Sequence, residues 1–197
     1  MNLSRIKKRC VATRQWIIIE GDDGAQWLSD GANDYAIVGI RLRESYIPDV
    51  FGLTDKQADK MIIRTEKRQG ALYRTDTAVF GEPLEEVRTV WAYDQKVVAL
   101  RNAVGVLYIP EDAILAACKA DDYVRYYLAH DAGGRIKVAV YHGMFCEALL
   151  SPVRDDIAEQ ISGWLAKLGA LPILATELTK REEGEDEEAD LTARGKG

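Results

Sequence analysis

Residues 123–141 constrain the fold more than any other stretch, because turn-forming residues there separate two runs of strict side-chain alternation. In an extended chain Val124, Tyr126, Leu128 and His130 share one side, and Ile136, Val138 and Val140 share one side of the return run. Facing these sets pairs Tyr126 with Val138, Leu128 with Ile136 and Val124 with Val140. That register predicts a three-residue loop, Asp131-Ala132-Gly133, with Gly133 at the position of positive φ. The opposite side follows: Tyr123 faces Tyr141, Arg125 faces Ala139, Tyr127 faces Lys137 and Ala129 faces Arg135. Tyrosine and arginine give large contact area and directed hydrogen bonds at modest entropic cost, and they are enriched where proteins meet partners. Tyr123, Arg125, Tyr127, Arg135, Lys137 and Tyr141 are therefore the candidate binding residues. The plainer reading of the same pattern is a solvated sheet surface, or one covered by the amino-terminal half.

A chain of 197 residues with 47% hydrophobic content suits one well-buried domain with a small appendage. No apolar run approaches the ~20 residues that span a bilayer, and basic residues 1–14 lack a following signal-type apolar core, so a cytoplasmic protein is expected. Cys10, Cys118 and Cys146 are odd in number, far apart and free of C-x-x-C spacing, which predicts buried thiols rather than a disulfide frame. The net charge of −6 is unevenly spread: residues 1–14 carry +5, residues 15–174 carry −7 and residues 175–197 carry −4. An acidic body excludes a protein that follows a nucleic-acid backbone over its whole surface and leaves only the basic arm and the tyrosine face for such contact.

The predicted organisation is a basic arm (1–14), a β-rich part (15–65), a connection (66–86), an antiparallel sheet with a carboxy-terminal helix (87–174) and an acidic tail (175–197). In the β-rich part, Trp16-Ile17-Ile18-Ile19 reads as a buried strand, and residues 26–28 and 33–40 read as two more around Asp30-Gly31. Pro48 interrupts a short helical turn, Thr54 and Gln57 form a capping box, and residues 61–64 return as a strand. Residues 66–86 offer at most a short strand at Ala78-Val79-Phe80. Downstream, Thr89 and Trp91 can face Val98 and Leu100 across a turn at Asp94-Gln95, a third strand runs to Ile109, and Pro110-Glu111-Asp112 opens a short helix. His142-Gly143 turns the chain into residues 144–150, where a one-residue bulge keeps Glu147 out of the apolar face. Ser151 and Pro152 then start a helix with an apolar stripe from Val153 to Leu168, ended by Gly169. The fold class is α+β: antiparallel β-meanders, as a sheet or small barrel, packed by the carboxy-terminal amphipathic helix and short helices.

Catalytic patterns are sparse. The two histidines, His130 and His142, fall at opposite ends of one ladder, and His142 with Cys146 has no orienting third group. Asp22, Asp23, Asp30 and Asp34 lack the spacing of a calcium loop and read as solvated turn carboxylates. No dinucleotide, phosphate-loop, serine-elbow or zinc-helix motif is present, and no cofactor or metal is expected.

Arg14-Gln15-Trp16-Ile17 with Tyr35 and Gly39, and Tyr141-His142-Gly143-Met144 continuing through Ala148-Leu149-Leu150-Ser151-Pro152-Val153, resemble small proteins of phages and prophages of anaerobic gut bacteria. The resemblance implies a context rather than an activity: an accessory protein or an inhibitor of a host protein, by association with that group. The leading expectation is thus a non-enzymatic interaction module with a protein partner, possessing no membrane contact. A nucleic-acid contact through the basic arm is the alternative, and a hydrolase or small-ligand binder using Asp22, Asp30 or Glu147 is the third.

Overall fold

A computed structural model describes residues 2–73, 81–92, 94–103, 105–118, 123–131 and 133–169. They fall into two units, 1–153 and 154–197. Ten strands of the first unit form one sheet: β1 (Gln15–Glu20), β2 (Gln26–Ser29), β3 (Asp34–Ile37), β4 (Ile62–Lys67), β5 (Pro83–Ala92), β6 (Gln95–Arg101), β7 (Val106–Pro110), β8 (Val124–His130), β9 (Ile136–His142) and β10 (Phe145–Leu150). Their order is β4-β1-β2-β3-β10-β9-β8-β5-β6-β7. Every neighbouring pair is antiparallel except β1 and β4, which are parallel. The protein is therefore α+β with a mostly antiparallel sheet. Residues 15–65 and 87–153 do not build separate meanders, because β3 pairs with β10 through Ala148 opposite Tyr35 and Leu149 opposite Asp34.

The central strands of the sheet are buried on both faces, and strand periodicity divides their apolar residues between them. Trp16, Ile18, Leu28, Val138, Val140 and Leu150 point to one side, with helices α1 (Leu3–Thr13), α2 (Ile47–Phe51) and α4 (Glu111–Ala117) supplying Ile6, Ile47 and Ala113. Ile17, Ile19, Trp27, Ala139, Tyr141 and Leu149 point to the other, where Tyr73 packs on them. Gly21 permits that approach, since a Cβ there would lie 2.1 Å from the Tyr73 carbonyl oxygen.

Residues 2–14, read from the sequence as part of a basic arm, are mostly helix. Asn2 caps α1 by accepting from the Arg5 N–H, Ile6 and Cys10 are fully buried, and Arg14 ends the helix in the left-handed region. Arg9 is bound internally, its Nε 2.7 Å from Asp30 and its Nη1 2.7 Å from Asp112. The capping box at Thr54 opens α3 (Asp55–Ala58), with Gln57 Oε1 accepting from the Thr54 N–H at 3.0 Å. Ala78-Val79-Phe80 and the acidic tail lie outside the described residues. In the second unit α5 (Asp155–Gly169) starts later than Ser151, because that hydroxyl is used elsewhere. Asp155 and Asp156 occupy its first turn, where the helix dipole favours carboxylates. No helix among the described residues is long and apolar enough to cross a membrane.

All three cysteines are free and buried, as their spacing predicts. Burial pushes the Cys146 thiol up to about 12, and burial followed by the charge of Asp34 pushes the Tyr73 phenol up to about 12. The unfolded thiol titrates near 9.0, so between there and 12 the folded chain holds protons that the unfolded chain releases. Stability is expected to fall as pH rises above about 9. Urea titrations at a series of alkaline pH values measure it, and a flat profile would contradict the burial.

Candidate functional site: an aromatic rim at the strand ends

The β8–β9 hairpin forms, but its register is two residues away from the predicted one. Tyr126 pairs with Val140, Leu128 with Val138, Ala129 with Lys137 and His130 with Ile136. The loop is longer because Asp131 organises it. Its Oδ1 accepts from the N–H groups of Gly133 (2.9 Å) and Arg135 (3.0 Å), and its Oδ2 accepts from Arg135 Nε at 2.7 Å. Gly134, not Gly133, takes positive φ. An even shift leaves each side chain on its predicted face, so the two sets survive while their partners change.

The six candidate residues are not brought together on one solvent-facing surface. β9 is a central strand, and Tyr141 and Lys137 are only 3% and 5% exposed. That correction follows from the pairing of β10 with β3, which makes the expected outer face the second core of the sheet, covered from the amino-terminal half. Tyr127 is half-buried and stacks edge-on against Tyr141, ring centroids 5.5 Å apart. Arg135 is exposed in the turn beside Asp131. Tyr123 and Arg125 stay exposed at the far end of β8.

There they meet features that the alternation pattern did not single out. Arg125 Nη2 donates to the Gly143 carbonyl at 2.8 Å, which ties the start of β8 to the turn between β9 and β10. His142 pairs with Phe145, so that turn contains only Gly143 and Met144, one residue later than expected. Tyr123 (81% exposed), Met144 (62%) and Phe145 (63%) therefore project from one end of the three strands, with Arg125 beside them. Tyr123 and Arg125 reach the end from one face. Phe145 reaches it from the other, being on the side of His142 and Val124. The sequence signal was two large apolar residues directly after a His-Gly turn.

Next to this rim β5 and β8 separate. Their ladder pairs Pro83 with Tyr127 and Leu84 with Tyr126, beside a Leu128 N–H that donates to the Glu82 carbonyl at 2.8 Å, after which β5 follows β6. The gap is a cleft of about 340 Å³ bounded by Tyr123, Arg125, Tyr127, Leu84 and Glu86. The Tyr126 phenol donates to Glu86, and burial, then that carboxylate, hold it above its usual range. Arg125 and Glu86 give its lining opposite charges, and Tyr123, Tyr126 and Tyr127 supply aromatic walls.

Other chemistry-bearing groups are engaged internally. Asp30 and Asp34 are buried, not solvated as expected: Asp30 binds Arg9 and accepts from the N–H groups of Ala32 and Asn33. Asp34 Oδ2 accepts from the Tyr73 hydroxyl at 2.9 Å and lies 3.4 Å from Arg68 and 4.0 Å from Lys137. Lys137 Nζ donates to the Ala32 carbonyl and to Ser151 Oγ, and Ser151 in turn donates to Ala32. This brace locks the β2–β3 turn onto β9. Asp22 and Asp30 sit at opposite ends of β2, and Glu147 is the extra residue of the expected bulge between Cys146 and Ala148. Those three carboxylates share no site. Among the described residues no group of three or more His, Cys, Asp or Glu side chains is placed to hold a metal ion.

Among the described residues the protein is α+β with a ten-stranded sheet, and exposed aromatic, methionine and arginine side chains gather where β8, β9 and β10 end. Comparison with protein-family models, with curated proteins and with solved structures finds no match.

Proposed function

We propose that the chain is a non-enzymatic binding module that engages a protein partner through Tyr123, Arg125, Met144 and Phe145. The supporting observation is the joint exposure of two aromatic rings and a methionine around a cation whose guanidinium is already aligned by the Gly143 carbonyl. Aromatic, methionine and arginine side chains are what protein interfaces concentrate, and a held arginine loses less entropy on binding. The adjoining cleft offers a recess for one anchoring side chain of the partner. The resemblance of the sequence to phage and prophage proteins supports a host protein as the partner and inhibition as the consequence.

Capture from the native host with wild type and with a Tyr123→Ala/Phe145→Ala chain tests the reading. A partner whose affinity drops at least ~30-fold with the rim variant, yet is unchanged with Trp91→Ala, is the expected result. Trp91 is equally exposed but stands on β5 against Lys96, so it controls for nonspecific adhesion. Partners retained by the folded rim variant would defeat the reading. Binding of labelled oligonucleotides that weakens with salt and depends on Arg5 and Lys8 would replace it with a nucleic-acid contact.

A further inference from the structure

The parallel strand β4 is the last strand on its side of the sheet, and the phase of its backbone is fixed. Ile62 N–H donates to the Arg14 carbonyl at 2.9 Å and Arg68 N–H to the Glu20 carbonyl at 3.1 Å, with Gln15 opposite Ile62 and Glu20 opposite Lys67. In a parallel ladder alternate residues turn both backbone groups to the same neighbour. Residues 62, 64 and 66 thus face β1, and Ile63, Thr65 and Lys67 direct N–H and C=O outward. No backbone or side-chain group among the described residues pairs with those outward groups. An open edge of this kind is a template for another strand.

Its side chains select the strand. Antiparallel pairing of β4 with its own copy about a two-fold axis at Thr65 sets Ile63 opposite Lys67 and Thr65 opposite itself. These are the outward-facing residues, so each pair can exchange two hydrogen bonds, about six in all. The intervening pair places Arg64 opposite Glu66 of the second copy, twice over by symmetry. Arg64 and Glu66 are 2.7 Å apart within one chain, with side chains 52% and 30% exposed, so their charges are already side by side; Glu66 also accepts from Arg68 at 3.0 Å through its other oxygen, which leaves Arg64 as the freer partner for a second copy. Ile62, 52% exposed at the strand start, gains cover in the same arrangement. A strand whose hydrogen-bonding phase and charge sequence are both self-complementary about one residue is suited to an isologous interface.

We infer that β4 is a self-association edge through which two copies join their sheets into one continuous sheet of twice the width, antiparallel at the new seam. This surface is distinct from the rim, so each can fail without the other.

Sedimentation velocity of the full chain between about 1 and 100 µM is expected to show a monomer–dimer equilibrium. Arg64→Glu and Glu66→Arg each oppose like charges across the axis and are expected to weaken the dimer about tenfold or more, whereas an equimolar mixture of the two variants restores it. Thr65→Cys is expected to give a disulfide-linked dimer on mild oxidation, since hydrogen-bonded antiparallel partners stand ~5.5 Å apart at Cα, within disulfide range. The native cysteines are buried and do not compete. A chain that stays monomeric over the whole range, a dimer indifferent to both charge variants, or a folded Thr65→Cys chain that does not cross-link would each overturn the inference.

Discussion

Asp34→Ala is expected to lower the unfolding free energy by about 3–5 kcal/mol, read from urea denaturation at neutral pH. The side chain is 2% exposed and is, among the described residues, the only carboxylate within 4.0 Å of Lys137, which is itself nearly buried. Removing it leaves the Tyr73 hydroxyl without its acceptor and takes from Arg68 and Lys137 the anion they share. Burial already holds the Lys137 ammonium below its ordinary range, and Asp34 offsets part of that pull. Without the carboxylate the folded-state value drops further below the unfolded 10.5. An unfolded chain that binds more protons gains stability on folding as pH rises, so the variant should recover in part toward alkaline pH. Pairing the change with Lys137→Met should cost less than the two single changes together, by about 1–3 kcal/mol, because the stranded ammonium is gone. A purely additive cycle would show that Lys137 is held by Ala32 and Ser151 alone.

Trp27→Ala carries a comparable penalty, about 3–5 kcal/mol, through a different cause. The indole is fully buried in the second core, donates Nε1–H to the Tyr73 carbonyl at 3.2 Å and meets the Tyr73 ring edge-on at 5.8 Å. Alanine opens a cavity and releases the segment that carries Tyr73, so the loss reaches Asp34 by way of the Tyr73 hydroxyl. Thermal unfolding and amide exchange of β1 and β2 measure it. Trp27→Phe, which keeps an aromatic ring and loses the hydrogen bond, should cost only about 1–2 kcal/mol. Equal losses for phenylalanine and alanine would mean that the donor, not the volume, secures the segment.

Both sites were partly legible. Trp27 sits in an apolar run that reads as a strand, and its burial follows. The role of Asp34 does not, because an aspartate beside turn residues looks solvated unless its distant partners Arg68, Tyr73 and Lys137 are known. The same separation explains the binding residues. Alternation assigned Tyr141 and Lys137 to the side opposite Val138 and Val140, and they are there. What alternation cannot report is whether a second layer covers that side. Tyr123 and Arg125 escape cover because they lie at the strand end, and Met144 and Phe145 join them only because Arg125 and the two-residue turn bring the termini of β8, β9 and β10 together.

Local sequence determined most strands, the short helices, the cap at Thr54, the bulge at Glu147 and the face on which each strand residue lies. Those properties depend on neighbours within a few positions and on a side-chain period of two. Register, strand order and layer depended on contacts between residues far apart in the chain. The β8–β9 hairpin slipped by two residues because an Asp131-centred loop is better bonded than a tighter one, and the β5–β6 hairpin, with Trp91 opposite Lys96, departs from expectation by the same step. A shift of two costs no face, so periodicity is blind to it. Joining β3 to β10 made the expected meanders parts of one sheet, buried the tyrosine and lysine of β9, and left the strand ends and the β4 edge as exposed surfaces.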